Sequence, residues 1–126
     1  MSRTNDLRKL IKGRLDKVCS NVSFEQASDD KMYPHIVFTY DYIDMGNINR
    51  NDMMVDIDIW DKSDSAAAIE DLADRVEDLF NAQNIPQDTI LPTFYLVDRK
   101  IVPDEDKKIR HRLIRVQVQN YERRAL

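Results

Sequence analysis

Apolar residues recur along this chain at two spacings, which predict two helices and several strands. Spacings of three and four from Leu7 to Val18 predict a first helix, which Thr4 caps. A second stripe of this kind predicts a helix that follows a cap at Ser63 or Asp64 and ends near Asn81. Alternating apolar and polar residues predict strands at 22–26, 36–43, 53–60, 90–97 and 108–119, with a reverse turn at 45–51 and a polar loop at 98–106.

The alternation also predicts which strand residues share a face. In the strand at 53–60 one face is apolar, with Val55, Ile57 and Ile59, and the other carries Met54, Asp56, Asp58 and Trp60. The element order α-β-β-β-α-β-β predicts an α+β fold with a mainly antiparallel sheet and both amphipathic helices packed on one face. We expect a single domain over residues 1–126.

Composition excludes several classes of protein. The single cysteine, Cys19, excludes an internal disulfide and a cysteine-built metal site, and its expected role is a small buried residue. The two glycines, Gly13 and Gly46, supply no glycine-rich phosphate loop. The chain has no long apolar run, so we expect a soluble cytoplasmic protein without a membrane span or signal peptide.

The net charge of -4 conceals a strong segregation of charge along the chain. Residues 41–78 hold twelve acidic and three basic residues, whereas residues 107–126 hold seven basic residues against Glu122. Acids crowd the outer face of the second helix and repel one another unless a basic surface lies opposite, and the basic last strand is the candidate. Two interpretations stay open: neutralisation within one fold, or contacts between chains.

Some acidic residues have spacings that suit metal chemistry. Asp56 and Asp58, with Asp61 nearby, have the spacing to share a divalent cation. Asp98 and Lys100 have the acid-x-lysine spacing of some metal-dependent nucleases. The alternative is an acidic strand face that meets solvent or a partner, and we predict no catalytic residue, metal or cofactor. Trp60 on this polar face indicates burial by a partner, or by the chain's own loop or N-terminus.

The succession of short motifs from Leu7 to Val118 resembles the small tail-completion or tail-terminator proteins of long-tailed bacteriophages. The motifs follow an N-terminal amphipathic helix. They are Tyr33-Pro34-His35-Ile36-Val37-Phe38, Val55-Asp56-Ile57-Asp58-Ile59-Trp60-Asp61, the helix at 65–80 and Arg112-Leu113-Ile114-Arg115-Val116-Gln117-Val118. The resemblance implies a structural virion protein without catalysis. The resemblance further implies a ring, typically a hexamer, that ends polymerisation of the tail tube and offers a surface to the head connector.

The predicted site is a set of contacts between chains. We expect the acidic strand and helix to meet the basic last strand of a neighbour; the residues are Asp56, Asp58, Trp60, Asp74 and Asp78 on one side, and Lys107, Lys108, Arg110, Arg112 and Arg115 on the other. Two loops are expected to contact the tail tube or connector, through Gly46, Asn47, Arg50, Arg99 and Lys100.

The expected location is the virion tail or neck, and the host cytoplasm during assembly. DNA is expected to pass through an acidic lumen without sequence-specific binding. Two alternatives remain open. One is a head-completion or connector protein of the same class of virus, and the other is a small metal-dependent nuclease that depends on Asp58 and Lys100.

Overall fold

A computed structural model of the chain describes residues 3–27, 32–47 and 50–122. These residues form two helices and six strands. In chain order the elements are α1 (Arg3–Leu15), β1 (Val22–Phe24), β2 (His35–Asn47), β3 (Arg50–Lys62), α2 (Ala67–Phe80), β4 (Gln83–Asn84), β5 (Ile90–Val102) and β6 (Ile109–Glu122).

The strands form one sheet in the order β1-β2-β3-β6-β5-β4. β1 runs parallel to β2, and every other neighbouring pair is antiparallel. Both helices pack on the same face of the sheet, where their buried residues join one hydrophobic core with the inward rows of β2, β3, β5 and β6. The predicted α+β class is therefore confirmed, as is the division of β3 into an apolar and a polar face.

The ends of both helices differ from the prediction. α1 already includes Arg3, so Thr4 lies inside the helix, and the helix ends at Leu15 and gives way to a turn before Val18. α2 begins at Ala67 and is capped by neither Ser63 nor Asp64. Instead, the hydroxyl of Ser65 accepts the N–H of Ala67 at 3.1 Å, because a helix start leaves N–H groups that need partners.

The β2–β3 hairpin is longer than the sequence predicts. Gly46, Asn47 and Arg50, which were expected in a partner-contact loop, belong to the strands, and Asn47 pairs with Arg50. The tip of the turn, residues 48 and 49, lies outside the described residues. After Tyr42 the register between β2 and β3 shifts, and polar residues that usually favour turns continue the strand pairing. Pairing with the neighbouring strand here overrides the local turn propensity of these residues.

The predicted loop at 98–106 is also wrong in its first half, because β5 continues to Val102. A β-bulge between Leu96 and Asp98 adds one extra residue to β5 opposite β6. Each residue after the bulge therefore lies on the opposite face of the sheet from the one that strict alternation predicts. The alternation of apolar and polar residues is therefore interrupted at Val97. In the sequence alone, this interruption looks like the end of the strand. Arg99 and Lys100 are strand residues, and the loop is confined to residues 103–108.

The chain shows no sign of a membrane helix: no helix among the described residues is both long and apolar enough to cross a bilayer.

Candidate interaction face

The face of the sheet opposite the two helices is covered by neither of them, and we call it the open face. Strand pairing arranges its side chains in rows that run across β2, β3, β6 and β5. The three rows nearest one end are His35-Trp60-His111-Val102, Val37-Asp58-Leu113-Lys100 and Thr39-Asp56-Arg115-Asp98. The sheet thus brings together Asp56, Asp58, Trp60 and Arg115, which the sequence predicts as contact residues.

The first row is a stack of rings. Trp60 lies between two imidazoles, with ring centroids 4.9 Å from His35 and 4.3 Å from His111, and both pairs are nearly parallel. The ring of Tyr33 contacts His35 in a tilted arrangement, with centroids 5.0 Å apart. Side chains from the neighbouring strands therefore cover part of Trp60, which is half-buried. Aromatic pairs of this kind contribute about 0.5–1.5 kcal/mol each beyond buried area.

Asp56 and Asp58 on the open face have partners within the chain. Nε2 of His111 lies 2.6 Å from Oδ1 of Asp58, and Nε of Arg115 donates to Oδ1 of Asp56 at 3.2 Å. Asp56 and Asp58, the two acids with the spacing to share a cation, are thus each paired with a different side chain of β6. Asp61 lies in phase with Ile59 on the helix-covered side, so the predicted group of three acids is not formed.

Among the described residues, no group of three or more histidine, cysteine, aspartate or glutamate side chains has the arrangement of a metal site.

The helix-covered side holds a second charged network, which connects α2 to β5 and β6. Arg99 forms ion pairs with Glu70, with Asp74 at 2.6 Å and with Glu77 at 3.5 Å. Nε of the buried Arg112 donates to Oε1 of Glu70 at 2.5 Å. This hydrogen bond, opposed by partial burial and aided by the charge of Arg99, lowers the pKa of Glu70 below its ordinary value.

These networks show how far the chain neutralises its own charge. The basic strand does lie opposite the acidic helix, as predicted, and Asp74, Arg112 and Arg115 form their ion pairs within the chain. Arg110 also bonds internally, to the carbonyls of Ser63 and Asp64. In the described part of the chain, Asp78 of α2 and Lys107 and Lys108 of the last loop are exposed and form no ion pair.

Sequence reasoning missed the role of Glu70 and placed Arg99 in a loop. The spacing of Glu70, Asp74 and Glu77, four and then three residues apart, was the available signal, because it aligns three acids on one stripe of α2. The contribution of His35 and His111 to the ring stack was also missed, since it depends on the register between strands that lie far apart in the sequence.

Comparison with known proteins gives one family and two solved structures of similar fold. Residues 2–119 match the family described as "Tail completion protein gp17". No curated protein matches the chain. A chain of the virion of a native gene transfer agent particle superposes with a TM-score of 0.67 and 10% identity, covering 90% of this chain and 92% of that chain. The bacteriophage SPP1 gp17 protein gives a TM-score of 0.56 and 20% identity, covering 90% of this chain and 88% of that chain. At these identities the likeness shows the fold alone.

Proposed function

Because this chain belongs to the family of tail completion proteins described as gp17, we propose that it forms a ring that caps the tail tube. The chain is a structural protein of a phage-type virion. In the proposed role the ring, of six copies, ends polymerisation of the tail tube and joins the tail to the head connector. The observation that carries this proposal is the family match over residues 2–119, and the similarity to a chain of an assembled particle supports it.

The contact between copies in this proposal is head-to-tail, so it uses two different patches on each chain. The loop that holds Lys107 and Lys108 leads into β6 where β3 ends, since Lys62 pairs with Ile109. Asp78 lies near the other end of the sheet, because α2 leads from it towards β4 and the start of β5. Oppositely charged patches at opposite ends suit a heterologous contact, which closes into a ring when the rotation permits.

The open face supplies a further contact surface in this proposal. Asp58 and Trp60 lie there with Lys100, whose side chain is 56% exposed. Arg112 is removed from the interface, since its guanidinium is buried and bonded to Glu70, while Arg115 and Asp56 are partly exposed and reach a neighbour as a pair. The ring contacts the tube protein on one side and the connector on the other, and duplex DNA passes through it without sequence-specific binding.

The test is the mass of the assembled species. Light scattering over a range of protein and salt concentrations, with particle imaging, is expected to show a closed ring, either free or on added tail tubes. Lys107→Glu combined with Lys108→Glu is expected to lower assembly, because it places acids against Asp78. Lys17→Glu, at an exposed lysine after α1, is the matched control and is expected to assemble normally.

Two results would count against the proposal. A chain that stays monomeric with tail tubes present contradicts the ring, and normal assembly of the double lysine variant contradicts the charged contact. Binding to purified connectors but not to tail tubes would favour the alternative role of a head-completion protein.

A further inference from the structure

Both outer edges of the sheet are only half covered within the described residues. β1 pairs with β2 only at residues 36–38, so residues 40–47 of β2 have no strand on their outer side. β4 pairs with β5 only at residues 93 and 94, so residues 95–102 have no strand there either. Uncovered edges are templates for pairing with another chain unless charge, proline or cover blocks them.

Exposed apolar side chains concentrate on these two uncovered edges. Of the six large hydrophobic residues that are exposed in the described part of the chain, four lie there: Tyr42 on β2, and Tyr95, Val97 and Ile101 on β5. Ile101 is 72% exposed and Tyr42 is 52% exposed. The charges of the β5 edge largely cancel, since Arg99 binds the acids of α2 and Lys100 lies 3.9 Å from Asp98. The β5 edge therefore lacks the charged protection that is usual for edge strands.

Hydrogen bonds near the covered ends show which backbone groups point outward. Ile36 donates its N–H to the carbonyl of Asn21, and the carbonyl of Phe38 accepts from the N–H of Glu25. Every second residue has this orientation, so the backbone N–H and C=O groups of Tyr40 and Tyr42 also point away from the sheet. On β5, the carbonyls of Ile90 and Pro92 accept from outside the sheet. Before the bulge the even-numbered residues of β5 have outward backbone groups, and after it the odd-numbered residues do. Arg99 and Ile101 therefore direct their N–H groups away from the sheet.

We propose that the outer edge of β5 pairs with the outer edge of β2 in a second copy of this chain, which joins the two sheets. The inference rests on the proposed ring. Because β2 and β5 run in opposite directions within the sheet, a second copy placed alongside in the same orientation presents its β2 antiparallel to β5. Its helices then lie on the same side as those of the first copy.

The covered halves determine the register. β1 covers one end of β2 and β4 covers the opposite end of β5, so the second copy is displaced along the strands. A displacement of four residues, roughly 14 Å, places residues 40–46 of one copy opposite residues 95–101 of the other without overlap of β1 and β4. Asp41 then lies opposite Lys100 on the open face, and Tyr40 lies opposite Ile101 on the helix side.

This displacement agrees with the charges at the two ends of the molecule. It moves the end of one copy that carries Asp78 towards the loop of the other that carries Lys107 and Lys108. A constant stagger between neighbouring sheets closes into a ring when the strands are tilted relative to its axis, as in a barrel.

The test uses proline, which removes one outward N–H while the side of the strand that faces the rest of the sheet keeps its bonds. Ile101→Pro and Tyr42→Pro are each expected to abolish ring formation and to leave a species of 14.9 kDa. An equimolar mixture of the two variants is expected to form a species of twice that mass and nothing larger, because one intact β2 edge and one intact β5 edge remain. Ile101→Val and Tyr42→Phe keep the N–H and are expected to assemble as the wild type does.

Formation of the two-chain species also shows that both proline variants fold. If either variant fails to fold, Ile101→Lys and Tyr42→Lys replace it, since they charge the edge and leave the backbone unchanged. Rings formed by either proline variant would overturn the edge pairing and leave the proposed function standing. Loss of assembly in Ile101→Pro alone would mean that β5 pairs with itself or with the tail tube, which also overturns it. A wild-type chain that forms no ring with tail tubes present would overturn both proposals.

Discussion

Replacing Glu70 by glutamine is expected to destabilise the fold more than replacing its buried partner Arg112 by methionine. Glu70→Gln leaves the guanidinium of Arg112, whose side chain is 7% exposed, without its anion. A hydrogen bond to a charged group contributes about 1.5–3 kcal/mol, and the 43% exposure of Glu70 reduces this by solvent screening. We therefore expect a loss of about 1–2 kcal/mol in the free energy of unfolding.

Arg112→Met has a smaller cost because it leaves no charge buried alone. The methionine fills the space of the arginine stem, and Glu70 keeps its ion pair with Arg99. We expect a change below about 1 kcal/mol, because an apolar side chain of similar volume replaces the buried cation and the remaining anion still has a partner. Urea unfolding, followed by far-UV circular dichroism and by the fluorescence of Trp60, the only tryptophan, measures both variants. Equal stabilities of Glu70→Gln and wild type, or a larger loss in Arg112→Met, would refute the reasoning.

Three further predictions concern pH, the cysteine and the core. Because the pKa of Glu70 is lowered in the folded state, its ionised carboxylate stabilises the fold fully above the ordinary pKa of 4.5, and this stabilisation is lost as the pH falls through the lowered pKa. Glu70→Gln should therefore flatten the fall in the free energy of unfolding from about pH 5 to pH 3. An unchanged pH dependence in urea unfolding would contradict this. Burial raises the pKa of the Cys19 thiol, so a thiol reagent at neutral pH should label it only at the rate of opening, and labelling at the rate of a free thiol would contradict its burial. Phe94→Ala should cost about 3–5 kcal/mol because Phe94 is fully buried and packs on Phe80 with ring centroids 5.2 Å apart; thermal unfolding measures the loss, and a loss below about 1 kcal/mol would contradict the packing.

The local patterns gave the elements and their faces correctly where each strand keeps one phase. The apolar row of Val55, Ile57 and Ile59 is buried, and Asp56 and Asp58 lie on the opposite face, as the two-residue period requires. The prediction failed at Val97, where a bulge changes the phase. A bulge is defined by the pairing of β5 with β6, so the sequence of β5 alone contains only an apparent end of alternation.

For the candidate contact residues too, the sequence of one strand gives the face on which a side chain lies, whereas the tertiary structure gives its partners. That Trp60 lies on a polar face follows from the sequence of β3, whereas its position between His35 and His111 depends on the register of three strands. Arg112 looked available to a neighbouring chain, but the packing of α2 against β6 brings Glu70 to it. Charge segregation in the sequence thus indicated attraction between segments without indicating whether the segments belong to one chain or two.

The sequence by itself determined both helices, every strand except β4, their inward rows and the succession of motifs that resembles tail-completion proteins, because periodicity is a property of neighbouring residues. The tertiary structure decided which charges pair, since strand register and helix packing join residues distant in the sequence, such as Glu70 and Arg112. It also decided which edges of the sheet remain uncovered. An uncovered edge exists only relative to the strands that pair elsewhere, so residues 40–47 and 95–102 become recognisable as edges only when the whole sheet is assembled.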